Sequence, residues 1–300
     1  MVLTPANRDE LSRRLAEASA SRTRIERVQL GNIASLVEHK PEDMTATVEA
    51  GMILTMFQDE LQRAGQWLPI DPPDPERTTI GDLLAYDWSG PRRYGYGTIR
   101  DYLIGIKVAL GNGEIIKAGG KVVKNVAGYD LCKLFIGARH TLGIILEATF
   151  KLKPLPEKEI VLESCFDSIP ALNRAARSLL ESPCEPVICD AHNRGNITLV
   201  TAFAGAAEDV EYQQHLAQKF GRWSPGSTHY DGRFSAKISV LPSKTADELQ
   251  RRTGEYIARF GNGVIYHGGP NETSQISTGA LAARLKKAYD PNGIFPEDSL

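Results

Sequence analysis

The chain has 300 residues, 42% hydrophobic and 24% charged, with 35 Lys and Arg against 37 Asp and Glu for a formal charge of −2. That length and balance predict a soluble protein of two domains or one large one, and the near-neutral charge excludes the electrostatic footprint of a nucleic-acid binder. No run reaches the ~18 apolar residues of a membrane span, and the charged, amphipathic start MVLTPANRDELSRRLAEASASR has no secretory apolar core. The expected location is cytoplasmic, with any membrane association peripheral, at the inner face and through partners.

In chain order, residues 5–20 read as a helix, with Leu11, Leu15 and Ala18 at helical spacing and Thr4 as its cap before Pro5. Residues 24–30 alternate like a strand, and 45–50 form a second strand closed by Gly51. Residues 54–64 place Leu54, Phe57, Leu61 and Ala64 on one helical face, with Gly65 as the stop. The stretch 67–101 is dense in Pro and Gly, and a loop of that length inside a compact domain is usually functional. Strands at 104–110 and 114–118 follow, joined by a turn at Asn112-Gly113. Then come the Gly-rich AGGKVVKNVAGYD (118–130), a short helix at 130–136 and a strand at 144–152 ended by Pro154 and Pro156. That Pro-Leu-Pro divides the chain into domains 1–156 and 157–300. In the second, strands are expected at 160–164, 197–203, 236–240 and 263–266, and helices at 170–181, 208–220, 245–260 and 279–289: an α+β pattern.

No G-x-G-x-x-G follows a strand, and G-x-S-x-G and P-loop motifs are absent. Cys132, Cys165, Cys184 and Cys189 lack metal or iron–sulfur spacing and read as buried thiols; no metal site is expected. What remains is a series of Gly, Thr and Ser loops at 78–82, 88–91, 92–97, 118–130 and 137–143. Glycines there either let the backbone approach a large ligand, with N–H groups aimed at phosphate, or simply make tight turns.

The order of these loops resembles the PCMH-type FAD-binding domain of the vanillyl-alcohol oxidase superfamily, most narrowly the FAD-binding subunit of bacterial glycolate oxidase. The residues that carry it are VEAGM (48–52), LPIDPPDPERTTIG (68–81), SGPRRYGYGTIRDYLIG (89–105), GGKVVKNVAGYDLCKL (119–134) and TLGIILEATFKLKPLP (141–156), with LKKAYDPNGIF (285–295) near the end. The resemblance implies an α+β protein, a two-lobed FAD domain with its first lobe shortened, then an α+β cap domain. The implied cofactor is FAD, with contacts at Pro72, Thr78, Thr79, Ile80, Gly81, Ser89, Gly90, Tyr96, Gly97, Asp101, Gly143, Ile144 and Ile145. The implied role is an FAD-dependent subunit of a glycolate or 2-hydroxy-acid oxidase/dehydrogenase complex. Its expected partners are a second flavoprotein and an iron–sulfur subunit.

The chain departs from that pattern on the cofactor side. The early Gly-rich loop is replaced by SRTRIERVQLGNIASLVEHKPEDMTAT, where only Gly31 remains and a deletion between Arg22 and Ile33 is inferred. Asp82 puts a carboxylate beside the expected diphosphate, and Arg139 either pairs with phosphate or fills the space. The chain closes on IFPEDSL where the family usually has Asn-Pro-Gly. These losses open a second reading: a non-flavin structural or assembly subunit of the same fold. A base for substrate oxidation would come from the second domain, where His229, His267 and Tyr266 are candidates beside structural roles. Arg233 could bind a carboxylate or be a solvated surface charge, and Lys121 and Lys124 could be phosphate counter-charges or a cationic edge. No catalytic residue is assigned.

Overall fold

The computed structural model describes residues 1–120, 131–228, 234, 236–268 and 280–297. Lys121, Lys124, His229 and Arg233 fall outside the described residues.

The first helix runs Arg8–Ser21 and buries Leu11, Leu15 and Ala18. Its cap is Asn7, whose Oδ1 accepts the Glu10 N–H at 2.9 Å, while the Thr4 hydroxyl is drawn off to Gln29 Oε1 at 3.1 Å. The alternating run after it yields only the strand Arg27–Val28, paired in parallel with Val2–Leu3. This pair and its helix are what stands ahead of the main sheet. Arg8 pins the helix to that sheet through Glu49 at 2.7 Å and Glu147 at 2.9 Å.

The main sheet of this half is antiparallel, in the order Leu36–Lys40, Thr45–Glu49, Ile144–Lys151, Leu103–Ala109, Ile115–Gly119. Ile144–Lys151 is central and buried along nearly its whole length, as a strand with partners on both sides and both faces covered should be. Leu36–Lys40 is a partly exposed edge carrying Glu38, His39 and Lys40, which hid it from a hydrophobic-pattern reading. The helix Leu54–Gln62 buries Leu54, Phe57 and Leu61 against the sheet, and the predicted stop at Gly65 has φ +67. Within 67–101 the chain folds into three short helices, Ile80–Ala85, Arg93–Tyr96 and Ile99–Tyr102.

Past Lys151 the chain enters a seven-stranded antiparallel sheet. Its order is Ser224–Pro225, Lys158–Phe166, Ile197–Gly205, Ile188–Asn193, Tyr256–Arg259, Val264–His267, Ala236–Ser239. Helices Ile169–Leu180 and Thr245–Gln250 pack on one face of it, and Ala207–Ala217 packs beside them. The helix expected over 245–260 is corrected: it stops at Gln250. Gly254, with φ +95, breaks the run, and the fully buried Tyr256–Arg259 becomes a strand between two others. The thiols also need correcting, since Cys165 is exposed while Cys132, Cys184 and Cys189 are buried.

The helix Ala280–Tyr289 returns the chain to the first half. Ile294 and Phe295 enter one core with Leu3, Leu11, Leu15, Ile25, Ile144 and Leu146, and the Ile25 N–H donates to Ile294 O at 2.7 Å.

Candidate functional site

A cavity of about 890 Å³ opens in the first half. Its walls are the connector 25–34, the turn 50–53, Thr79–Asp82, Arg139–His140 and Phe295–Pro296. Gly51 makes the close approach possible: a methyl there would overlap the Leu30 carbonyl, and its N–H donates to Ile33 O at 2.9 Å. The second wall is zipped to the first, with the Gly81 N–H on Ala50 O at 2.7 Å and the Ile80 N–H on Met52 O at 2.9 Å. Gly31 differs from both, because a Cβ built on it meets nothing within 4 Å. It stands as a bare cradle on the cavity side.

The opposite wall holds two consecutive left-handed residues, Arg139 at φ +47 and His140 at φ +61. Non-glycine residues adopt this conformation only when their surroundings impose it. Here the Gly137 N–H bonds Leu84 O at 2.9 Å and the Arg139 N–H bonds Ala85 O at 2.8 Å. His140 Nε2 lies 3.2 Å from Asp82 Oδ1, and Thr79 Oγ1 donates to Asp82 Oδ2 at 2.8 Å. Burial pushes the Asp82 carboxyl up, but the hydrogen bonds from His140 and Thr79 and the charges of His140 and Arg27 outweigh it and hold the carboxyl below its usual range.

The thirteen residues expected at the cofactor fall into two places. Thr79, Gly81 and Ile144 line the cavity. Thr78, Ile80, Gly143 and Ile145 stand behind them: Thr78 Oγ1 bonds Asp74 O at 3.0 Å, Gly143 packs on Val108, and Ile80 and Ile145 are in the core. Pro72, Ser89, Gly90, Tyr96, Gly97 and Asp101 gather instead in and behind the seam between the two sheets. Pro72 is buried there beside Asp71. Gly90 packs on Asp71 and Gly97 on Asp101. Ser89 Oγ accepts the Ile99 N–H at 3.2 Å, Tyr96 meets Trp67 edge-on at 5.4 Å, and Asp101 closes a capping box with Thr98. Sequence reasoning did not name Arg27, Gly51, Tyr86 or His140 as contacts; Gly51 lies in the motif 48–52 and His140 in the loop 137–143, while nothing local marks Arg27 or Tyr86, because the connector and the turns meet only in three dimensions.

The seam is built by Arg92, which bonds Asp71 at 2.8 Å and Glu159, on the first strand of the seven-stranded sheet, at 2.6 Å. Burial pushes the Asp71 carboxyl up to about 7 against the opposing charge of Arg92. Gly95 leaves no room for a side chain against Val187, and Gly261 none against Tyr94.

Above the seam, the seven-stranded sheet presents a polar face. Cys189 and Ala191 point to its helices, so Asp190 and His192 point the other way. The cross-strand row His192, Ile257, Tyr266, Lys237 shares that face, and Asp190 pairs there with the buried Arg259. The Arg259 guanidinium and the Lys237 ammonium each lie 5.8 Å from the Tyr266 ring centre. The charges of Arg259 and Asp190 act on Asp71, and that of Lys237 acts on Asp87, so this face looks toward the first half. Asp87 is next in sequence to Tyr86, a lining residue of the cavity. His267 is on the opposite face, with Tyr256, in a separate hollow of about 710 Å³.

Comparison with known proteins agrees with this architecture. Residues 16–119 match the family model "FAD binding domain". The chain is 32% identical over 222 residues to glycolate oxidase subunit GlcD of Bacillus subtilis (strain 168), covering 68% of this chain and 47% of that one. It is 37% identical over 128 residues to glycolate oxidase subunit GlcE of Escherichia coli (strain K12), covering 42% and 37%. It is also 37% identical over 128 residues to the mitochondrial D-lactate dehydrogenase [cytochrome] of Arabidopsis thaliana, covering 43% and 22%. The chain thus spans about half or less of the length of these relatives. Among solved structures, alkyldihydroxyacetonephosphate synthase superposes with a TM-score of 0.73 at 16% identity, over 98% of this chain and 75% of that one, which shows the shared fold. Among the described residues no helix is long and apolar enough to cross a membrane.

The cavity accommodates the cofactor of that fold. Ligand pockets run to about 300–1,000 Å³, and this one lies near the upper end. Gly31 has open space where a Cβ would lie, and Arg27, Arg139 and His140 line the cavity, a lining whose cationic residues fit a group that carries a diphosphate. The chain carries an FAD-binding domain of the PCMH type, and its cofactor is FAD.

Proposed function

We propose that this protein is an FAD-dependent oxidoreductase component acting on small 2-hydroxy acids, working as one subunit of a glycolate oxidase-like complex. The observation that carries the reading is the 890 Å³ cavity with Tyr86 in its wall, next to Asp87, a carboxylate on which the charge of Lys237 from the seven-stranded sheet acts. The named relatives, two glycolate oxidase subunits and a D-lactate dehydrogenase, support the substrate class.

Gly31, Thr79, Gly81, Ile144 and Phe295 would hold the cofactor. FAD bound there supplies the acceptor for the hydride leaving the hydroxyl-bearing carbon. The chain's own work is to orient the acid and to take the hydroxyl proton. Lys237 supplies a cation for the substrate carboxylate, and the Tyr266 hydroxyl is the proton-carrying group next to it. His267 lies on the far face and serves the fold. Partners are a second flavoprotein and an iron–sulfur subunit, which would take the electrons onward.

The test is reduction of a dye acceptor by glycolate and D-lactate, with the FAD-loaded chain alone and together with its partner subunits. Turnover that depends on this chain supports the reading. Unchanged turnover when the chain is omitted from an otherwise complete complex overturns it. The Asp82 carboxylate in the cavity wall favours the structural-subunit alternative, and failure to bind FAD would select it.

A further inference from the structure

Several backbone amides around the cavity are already engaged. Those of Ala50, Gly51, Met52, Gly81 and Arg139 donate to carbonyls of the protein, and that of Asp82 donates to Thr79 Oγ1 at 3.0 Å. A loop whose N–H groups are bonded internally offers no nest for an anion. Two arginines line the same space, Arg27 from the connector and Arg139 from the left-handed turn. The carboxylates nearby are screened: Asp82 is tied to His140 and Thr79, and Glu26, with 76% of its side chain exposed, stands at the solvent rim.

We infer that Arg27 and Arg139 clamp the diphosphate of the dinucleotide, and that His140 keeps Asp82 from repelling it. Side-chain charge takes the place of backbone donors. The inference rests on the reading of the cavity as the FAD site and goes beyond it, because it says which groups hold the anion and how. It also gives the backbone strain at Arg139 and His140 a purpose: the left-handed turn places both residues in the cavity wall.

The experiment measures equilibrium binding of FAD and of riboflavin, which has no diphosphate, by flavin fluorescence. The proteins are the full chain and its Arg27→Gln, Arg139→Gln and Asp82→Asn variants, at low and high salt. Each arginine variant should bind FAD about tenfold more weakly, the loss of one charge-assisted contact, with riboflavin binding unchanged and a shallower salt dependence. Asp82→Asn should bind FAD at least as tightly as the parent chain. Both arginines are exposed, the unfolding temperature of each variant is measured beside its affinity, and Arg139→Lys should restore part of the affinity. Unchanged FAD affinity in both arginine variants overturns the clamp and leaves the FAD site standing. Equal losses for FAD and riboflavin also overturn the clamp. A parent chain that binds neither flavin overturns the clamp and the reading beneath it.

Discussion

The Asp290 carboxylate accepts the backbone N–H of Phe295 at 2.9 Å, and this bond sets one wall of the 890 Å³ cavity. The same side chain accepts the Ile294 N–H at 3.0 Å and pairs with Lys286 at 2.7 Å. Lys286 in turn bonds Thr141 O, just past the left-handed turn, at 2.7 Å. The end of the described chain is thereby locked onto both the first helix and the cavity. Asp290→Ala leaves two buried amides without their acceptor and the Lys286 ammonium without its counter-charge. It should cost about 3–5 kcal/mol and weaken FAD binding with it. Denaturant unfolding and a flavin titration on the same variant check both effects; a loss of stability with FAD affinity intact would separate this segment from the site.

Two glycines of the cavity should behave oppositely. Gly31 has open space where a Cβ would lie and Gly51 has the Leu30 carbonyl. Gly31→Leu should leave the unfolding midpoint in place and weaken FAD binding, because the new side chain occupies the cavity. Gly51→Ala should cost about 3 kcal/mol or more through overpacking against backbone. Similar stability losses in the two variants would contradict this assignment.

The seam carries a pH dependence whose sign is fixed by Asp71. Burial raises its folded-state value to about 7, whereas an unfolded Asp titrates near 3.9. Between those values the folded state holds more protons than the unfolded one, so this group lowers stability as pH rises from about 4 to 7. The slope is at most about 1.4 kcal/mol per pH unit. Asp71→Asn removes it. The stability of the parent chain relative to the variant should fall steadily across that window when chemical unfolding is followed at several pH values; a relative stability that rises with pH would contradict the account.

On the sheet face, Tyr266→Phe keeps the ring between Lys237 and Arg259 and removes only the hydroxyl. In the assembled, FAD-loaded complex it should lower 2-hydroxy-acid turnover about a hundredfold with FAD affinity unchanged. His267→Gln, on the opposite face, should leave turnover near the parent value. The reverse pattern would move the proton-transfer role to His267.

Much of the five-stranded half was legible from local pattern. The spacing of Leu11, Leu15 and Ala18, the Asn112-Gly113 turn and the long apolar run from Ile144 each specify an element with little help from distant residues. The strands Ile188–Asn193 and Tyr256–Arg259 were not legible. They interleave buried polar residues, Asp190, His192 and Arg259, with apolar ones, and their period is masked because both faces are covered. At the candidate site, the loops that match the family were visible, and so were the departures at Asp82 and Arg139. The role of Arg27 and the opposite demands on Gly31 and Gly51 were not, since they arise only where the connector closes over the end of the strand Thr45–Glu49.

The most direct test of the account is an equilibrium titration of the purified 300-residue chain with FAD, followed by flavin fluorescence, beside the Gly31→Leu variant. The account predicts saturable binding in the micromolar range or tighter, weakened in the variant while its fold is kept. A folded parent chain that leaves the flavin signal unchanged, or a variant that binds FAD as well as the parent, would contradict the placement of the cofactor in this cavity.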